Sequence, residues 1–129
     1  MFYKKRRNWK YRLHRPEWYE TGILVEYIET DYITLKSGRL IIESEYCWDG
    51  PSGPCFHNAD VMRASLIHDA LYQLMREGEL SHDYREQADE IFRDICLIDG
   101  MSPFWANVMF KAVRKHGAKA IQYDILGSP

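Results

Sequence analysis

The chain has 129 residues and a mass of 15.3 kDa, which is the size of one typical domain. Hydrophobic residues make up 46% and charged residues 28%, values that exclude a disordered, collagen-like or coiled-coil protein. The net charge of −2 gives no reason to expect specific nucleic-acid binding. No apolar run approaches the roughly 20 residues of a transmembrane helix, and the basic N-terminus lacks the apolar segment of a signal peptide.

The first fifteen residues are rich in bases and contain no acid, whereas residues 17–31 contain acids and no base. The bases are Lys4, Lys5, Arg6, Arg7, Lys10, Arg12 and Arg15. One interpretation is a basic edge segment that pairs with an acidic neighbour. The other is an arm that docks on a partner protein, nucleic acid or anionic lipid. Of these, we expect another protein chain, because Phe2, Tyr3 and Trp9 accompany the arginines and both residue types are favoured at interface cores.

The first part of the chain has the pattern of β-structure. Trp9, Tyr11 and Leu13 alternate with polar residues, as in a half-buried strand, and residues 21–28 are rich in β-branched side chains. Strands over residues 32–36 and 39–46 flank Ser37-Gly38, a two-residue turn signal for a hairpin. The sequence therefore predicts a small antiparallel sheet over roughly residues 8–47.

A loop and three helices follow the predicted sheet. Two prolines and two glycines between Gly50 and Pro54 exclude a helix or a central strand there. Apolar spacing predicts a first helix from the N-cap Asn58 to near Gly78. The second helix starts near a capping box of Asp83 and Glu86 and stops at Gly100, and the third starts at Ser102-Pro103 and ends at Gly117. The predicted apolar faces are Ala88, Ile91, Phe92 and Ile95 in the second helix and Trp105, Val108, Met109, Ala112 and Val113 in the third.

These elements predict one α+β domain over residues 1–129, without internal repeats or low-complexity linkers. Its parts are a β-rich segment (1–47), a Gly/Pro loop (48–57), three helices (58–117) and a tail (118–129). The three cysteines, Cys47, Cys55 and Cys96, are an odd number without zinc-site spacing, so a reducing cytoplasm fits better than a disulfide framework.

The first predicted helix contains the residues that suggest chemistry. His68 and Tyr72 lie one turn apart on one stripe, at the border of the apolar face, and Asp69 lies beside them. Asp89 borders the apolar face of the second helix, so packing of the two helices brings it near His68. A carboxylate that orients an imidazole makes a general base, and Asp69 would remain free to hold a cation with loop carbonyls.

A structural interpretation stands beside the catalytic one. A histidine at the margin of an apolar face is commonly a hydrogen-bonded core residue, and buried polar networks perturb pKa values without catalysis. Asp69 and Asp89 would then hold helices together through partners such as Arg63 or Arg85.

Residues 32–117 resemble a family of small proteins of unknown function from tailed bacteriophages and prophages. The residues that carry the resemblance are the loop Asp49-Gly50-Pro51-Ser52-Gly53-Pro54, the helix segment His68-Asp69-Ala70-Leu71-Tyr72 and the segment Arg85-Glu86-Gln87-Ala88-Asp89. They match an Asp-x-x-Ser-x-Pro loop, a His-Asp-x-Leu-Tyr helix and an Arg-x-x-Ala-Asp helix. This resemblance implies little about activity.

The same segments are more distantly similar to phospholipase A2, which makes the helical part phospholipase A2-like. That resemblance implies that His68 activates a water, Asp89 orients His68, and the hydroxyl of Tyr72 supports the network. The calcium ligands that it implies are Asp69 and the loop carbonyls of Gly50 and Gly53. The chain departs from the pattern in its two loop prolines, its lack of paired cysteines and its β-rich first 45 or so residues.

Two functions follow from these resemblances. The first is a virion-associated phage protein of the tail, baseplate or connector, located in the virion or the host cytoplasm. In it the His–Asp network is structural, and the basic aromatic N-terminal arm contacts other phage structural proteins. The alternative is a calcium-dependent phospholipid ester hydrolase with His68 as general base, for which phospholipid is the partner.

Overall fold

The computed structural model describes residues 3–5, 11–48 and 59–121, with side chains from residue 11 onward in the first part and from residue 61 onward in the second. The chain divides into two compact units, Met1–Gly50 and Pro51–Pro129. We call them the sheet unit and the helical unit. The α+β class and the order of strands before helices are confirmed, while the prediction of a single domain stays a prediction.

The sheet unit contains two small antiparallel sheets. The first has the order β1-β2-β7, and the second has the order β3-β6-β5-β4. The strands are β1 (Tyr3–Lys5), β2 (Tyr11–Leu13), β3 (Glu17–Glu20), β4 (Ile28–Glu29), β5 (Ile33–Lys36), β6 (Arg39–Ile42) and β7 (Cys47–Trp48).

The hairpin between β5 and β6 forms where the sequence predicts it. Ser37 and Gly38 have φ angles of 50° and 92°, the left-handed values that a two-residue type I′ turn requires. Leu35 pairs with Leu40, and Ile33 pairs with Ile42. All four of these side chains are buried, as are Leu13 and Ile23. The core of the sheet unit is therefore largely aliphatic.

The predicted strand over residues 21–28 is wrong for most of its length, because only Ile28 belongs to a strand there. Gly22 has a φ of 74°, outside the extended region. The Thr21 hydroxyl donates to the carbonyl of Gly38 at 2.7 Å and accepts from the amide of Ile23 at 3.0 Å. These local hydrogen bonds take the place of strand pairing in this segment. The strand that pairs with β6 is β3 (Glu17–Glu20) instead.

The helical unit contains three helices, α1 (Ala59–Arg76), α2 (Arg85–Ile98) and α3 (Pro103–Ala120). The predicted apolar face of α2 is confirmed, since Ala88, Ile91, Phe92 and Ile95 are buried. The predicted start of α3 is also confirmed, because the Ser102 hydroxyl accepts from the amide of Trp105 before Pro103 begins the helix. The predicted N-cap of α1, Asn58, lies outside the described residues.

Three local predictions about these helices are wrong. Asp83 and Glu86 do not form a capping box, because Ser81 caps a 3₁₀ turn over His82–Tyr84 that precedes α2. Trp105 does not lie in the buried face of α3, because it is 43% exposed, whereas Met109, predicted in the same face, is buried together with Ala106. Gly117 does not end α3, which continues through it to Ala120.

Of the residues that the structure describes, none belongs to a helix with the length and apolarity that a bilayer crossing needs. Cys47 and Cys96 are in the thiol form, and Cys55 lies outside the described ranges. Arg12 of the basic N-terminal segment pairs with Glu45 at 2.9 Å. Glu45 lies outside residues 17–31, the acidic stretch that we predicted to pair with the basic segment.

Candidate functional site

The centre of the candidate site is the carboxylate of Asp89 on α2, whose side chain has no exposed surface. Its Oδ1 atom lies 2.7 Å from Nε2 of His68 and accepts a hydrogen bond of 2.5 Å from the Tyr72 hydroxyl. His68 and Tyr72 reach the same oxygen because they lie one turn apart on α1. The predicted contact between His68 and Asp89 is confirmed.

The other oxygen of Asp89 faces two arginines. Nη1 of Arg114, on α3, donates to Oδ2 at 2.8 Å, and Nη1 of Arg85, one turn before Asp89 on α2, lies 3.6 Å from the same oxygen. Arg85 also donates to the main-chain carbonyl of Arg114 at 3.2 Å. The carboxylate of Asp89 is therefore shared by groups from all three helices, and a buried charge needs this degree of pairing.

These contacts determine the charge state of Asp89. Burial raises the pKa of a carboxyl, but the hydrogen bonds from His68, Tyr72 and Arg114 and the charge of His68 outweigh it, so the pKa of Asp89 is lowered. Burial and the neighbouring carboxylate raise the pKa of the Tyr72 hydroxyl, so it stays protonated and donates. An ionised Asp89 only accepts hydrogen bonds, so Nε2 of His68 carries a proton.

The ring of His68 is held on several sides. It lies against the ring of Tyr72, with centroids 4.1 Å apart, and meets the ring of Phe92 edge-on at 5.2 Å. Its other nitrogen, Nδ1, lies 3.9 Å from Oδ1 of Asp69, whose side chain is 40% exposed. Nδ1 is thus on the side of the ring where a carboxylate has access to solvent.

The pKa of His68 is raised above its ordinary value of 6.5. Burial by itself lowers the pKa, because it disfavours the charged imidazolium, but Asp69 and Asp89 more than compensate through their proximity and negative charge. At 3.9 Å, Asp69 acts on Nδ1 as a nearby charge rather than through a hydrogen bond.

Gly117 allows α3 to approach the network. A Cβ atom at this position would clash with the Tyr72 hydroxyl and would lie 2.7 Å from Nη1 of Arg85. Only a residue without a side chain fits there, although the backbone is helical and glycine disfavours helices. Gly117 therefore serves close packing of the three helices around Asp89.

The structure describes only part of the predicted calcium site. Asp69 supplies one carboxylate, whereas Gly50 and Gly53 lie outside the described residues. Within the described ranges, 11–48 and 61–121, no cluster of three or more histidine, cysteine or acidic side chains has the geometry to hold a metal ion. The described residues thus do not make up a calcium site by themselves.

Among the predicted site residues, the structure brings together His68, Asp89 and Tyr72 and places Asp69 at their edge. Arg85, proposed as a structural partner, lies beside Asp89, whereas Arg63 binds Asp99 through two hydrogen bonds. Sequence reasoning missed Arg114. The feature of the sequence that could have indicated it is the position of Arg114 next to Val113, at the margin of the apolar face of α3.

The fold and the site define an α+β protein whose helical unit holds a buried His–Asp–Tyr network closed by an arginine. A family model described as "Protein of unknown function (DUF1353)" matches residues 53–113. The matched segment includes His68, Tyr72 and Asp89 and ends one residue before Arg114. No match was found among curated proteins or among solved structures. The helical unit is thus similar to this family, and the links to phages and to phospholipase A2 stay predictions.

Proposed function

We propose that the helical unit is the site of an ester hydrolase in which Nδ1 of His68 is the general base. The contact of 2.7 Å between Nε2 of His68 and the buried carboxylate of Asp89 carries this proposal. Because that contact places the proton on Nε2, the lone pair of the neutral ring lies on Nδ1. Nδ1 lies on the side of Asp69, whose side chain is 40% exposed, and we propose that the reacting water enters from that side.

In the proposed step, Nδ1 takes a proton from a water molecule while the water oxygen attacks the carbonyl carbon of an ester. The imidazolium that forms is stabilised by Asp89, which Tyr72 and Arg114 hold in position. The proton then passes to the leaving alkoxide, so that an acid and an alcohol are released. Phospholipid is the proposed substrate because of the His-Asp-x-x-Tyr resemblance.

The pH dependence of this reaction follows from the pKa of His68. The base must be neutral, and its pKa is raised above 6.5. Turnover should therefore be low at pH 6 and should rise as the pH passes through the raised pKa of His68. A turnover that is already maximal at about pH 6 would contradict the assignment of His68 as the base.

The experiment is a phospholipid turnover assay, with millimolar calcium and with chelator, on the wild type and on His68→Gln. Loss of a general base should lower turnover by about 10²–10⁴-fold. His116→Gln is the matched control, because His116 is an exposed histidine of the same unit, on α3. Wild-type protein without turnover on any phospholipid, or equal turnover in the two variants, would reject the hydrolase.

A second candidate function is a structural role in a phage particle. It is favoured by the fact that Asp89 accepts hydrogen bonds from both neighbouring helices, which leaves the network complete without a substrate. Under this proposal His68→Gln leaves an inactive protein inactive and costs about 1–3 kcal/mol of stability, the penalty for an unpaired buried group.

The structural proposal also predicts that the chain accompanies phage particles through density-gradient purification, held by its basic aromatic N-terminal arm. Replacing Lys5, Arg6 and Arg7 by glutamine should release it from the particles, whereas Lys36→Gln, on an exposed lysine outside the arm, should not. Particles that lack the wild-type chain would reject this role.

A further inference from the structure

The helix α3 presents an unusual face to solvent. At about 100° per residue, Phe104, Lys111, Lys115 and Lys119 fall within roughly 80° of the helix circumference. All four side chains are exposed, and Phe104 is 68% exposed. The opposite side of the helix is its packed side, where Ala106, Met109 and Gly117 are buried.

The charge of this face has one sign. The sequence of α3 contains no aspartate or glutamate. None of the ion pairs among the described residues involves Lys111, Lys115 or Lys119, while Arg114 is engaged inside the unit by Asp89. The lysine side chains are therefore available to a partner that carries negative charge.

An aromatic pair lies at the N-terminal end of the same helix. The rings of Phe104 and Trp105 meet edge to face, with centroids 5.2 Å apart, and Trp105 is 43% exposed. Leu97 and Ile98, at the end of α2 and a few residues before α3, are also exposed. Large apolar side chains next to a row of lysines are typical of helices that lie in the interface of a bilayer.

We propose that this face of α3, formed by Phe104, Trp105, Lys111, Lys115 and Lys119, docks on an anionic lipid bilayer. The helix lies along the membrane surface, the aromatic rings enter the headgroup region, and the lysines contact anionic headgroups. The helix of 18 residues is about 27 Å long, so its lysines lie over several headgroups. This inference needs no catalysis and stands apart from the proposed hydrolase.

The test is co-sedimentation of the full chain with vesicles of phosphatidylcholine alone or with about 30 mol% phosphatidylglycerol. Ether-linked lipids are used, so that hydrolysis cannot alter the vesicles. We expect binding to the anionic vesicles only, and we expect it to weaken as salt rises from about 0.05 to about 0.5 M. Equal binding to both vesicle types would overturn the proposal.

Variants locate the contact. Each lysine near an anionic surface contributes about fivefold to affinity, so the triple variant Lys111→Gln/Lys115→Gln/Lys119→Gln should bind about a hundredfold more weakly. Phe104→Ser should also weaken binding. Lys36→Gln and Tyr32→Ser, at an exposed lysine and an exposed aromatic residue of the sheet unit, are the matched controls and should bind as the wild type does.

Two outcomes would show that this face of α3 does not bind the membrane. Undiminished binding by the triple variant would place the membrane contact elsewhere, for example on the basic N-terminal segment, and would overturn the proposal. The second outcome is a wild type that does not bind anionic vesicles but forms a dimer in light scattering. If Phe104→Ser is then monomeric, this face is a contact between two copies of the chain, and the membrane proposal is wrong.

Discussion

The two units of this protein place their polar groups in opposite ways. In the sheet unit, ion pairs such as Glu20–Arg39 lie at the surface, with both side chains more than half exposed, over an aliphatic core. In the helical unit, the carboxylate of Asp89 is fully buried and is paired with groups from three helices. An exposed pair contributes little to stability, whereas loss of one partner from a buried pair leaves an uncompensated charge and costs far more.

The largest expected effect comes from breaking the buried network at its centre. Asp89→Asn leaves Arg114 and His68 without their anion and should cost about 3–5 kcal/mol of unfolding free energy. Glu20→Gln, which removes the exposed carboxylate paired with Arg39 at 2.6 Å, should cost less than about 1 kcal/mol. Urea denaturation measures both losses, followed by circular dichroism at the helical band for Asp89→Asn and by tryptophan fluorescence, which includes Trp18 and Trp48 of the sheet unit, for Glu20→Gln. Equal losses in the two variants would contradict the contrast between the units.

A smaller effect is expected at Gly117, the position that allows the three helices to pack closely around Asp89. Gly117→Ala introduces a Cβ atom against the Tyr72 hydroxyl and should cost about 1–3 kcal/mol, although alanine favours helices. The double variant with Tyr72→Phe removes that hydroxyl. Its stability loss should be smaller than the sum of the two single losses, and strict additivity would show that the contact does not restrict the packing.

The smallest effect is a dependence of stability on pH. Because the pKa of His68 is raised above 6.5, the protonated form stabilises the folded state. This contribution is complete below the unfolded pKa of about 6.5 and is lost as the pH rises through the folded pKa. The free energy of unfolding should therefore fall as the pH rises from about 6. In His68→Gln this fall should be smaller. The same slope in His68→Gln as in His116→Gln would contradict the assignment to His68.

Sequence by itself determined the features that depend on neighbours along the chain. The hairpin at Ser37-Gly38 was predictable because both positions need left-handed backbone angles, and the start of α3 because serine and proline each have a defined role there. His68 and Tyr72 were predicted to share a stripe, and Asp89 to face it, because helical periodicity assigns each residue a side.

Only the tertiary structure decided which distant groups complete the site. Arg114 and Gly117 lie on α3. The position of Arg114 at the margin of an apolar face does not identify Asp89 as its partner, and the pattern around Gly117 does not indicate the close approach of the Tyr72 hydroxyl. The wrong end predicted for α3 has the same cause, since glycine commonly ends a helix unless packing requires it inside. Local propensity favours one conformation for a segment, but the contacts between helices determine which conformation the folded chain keeps.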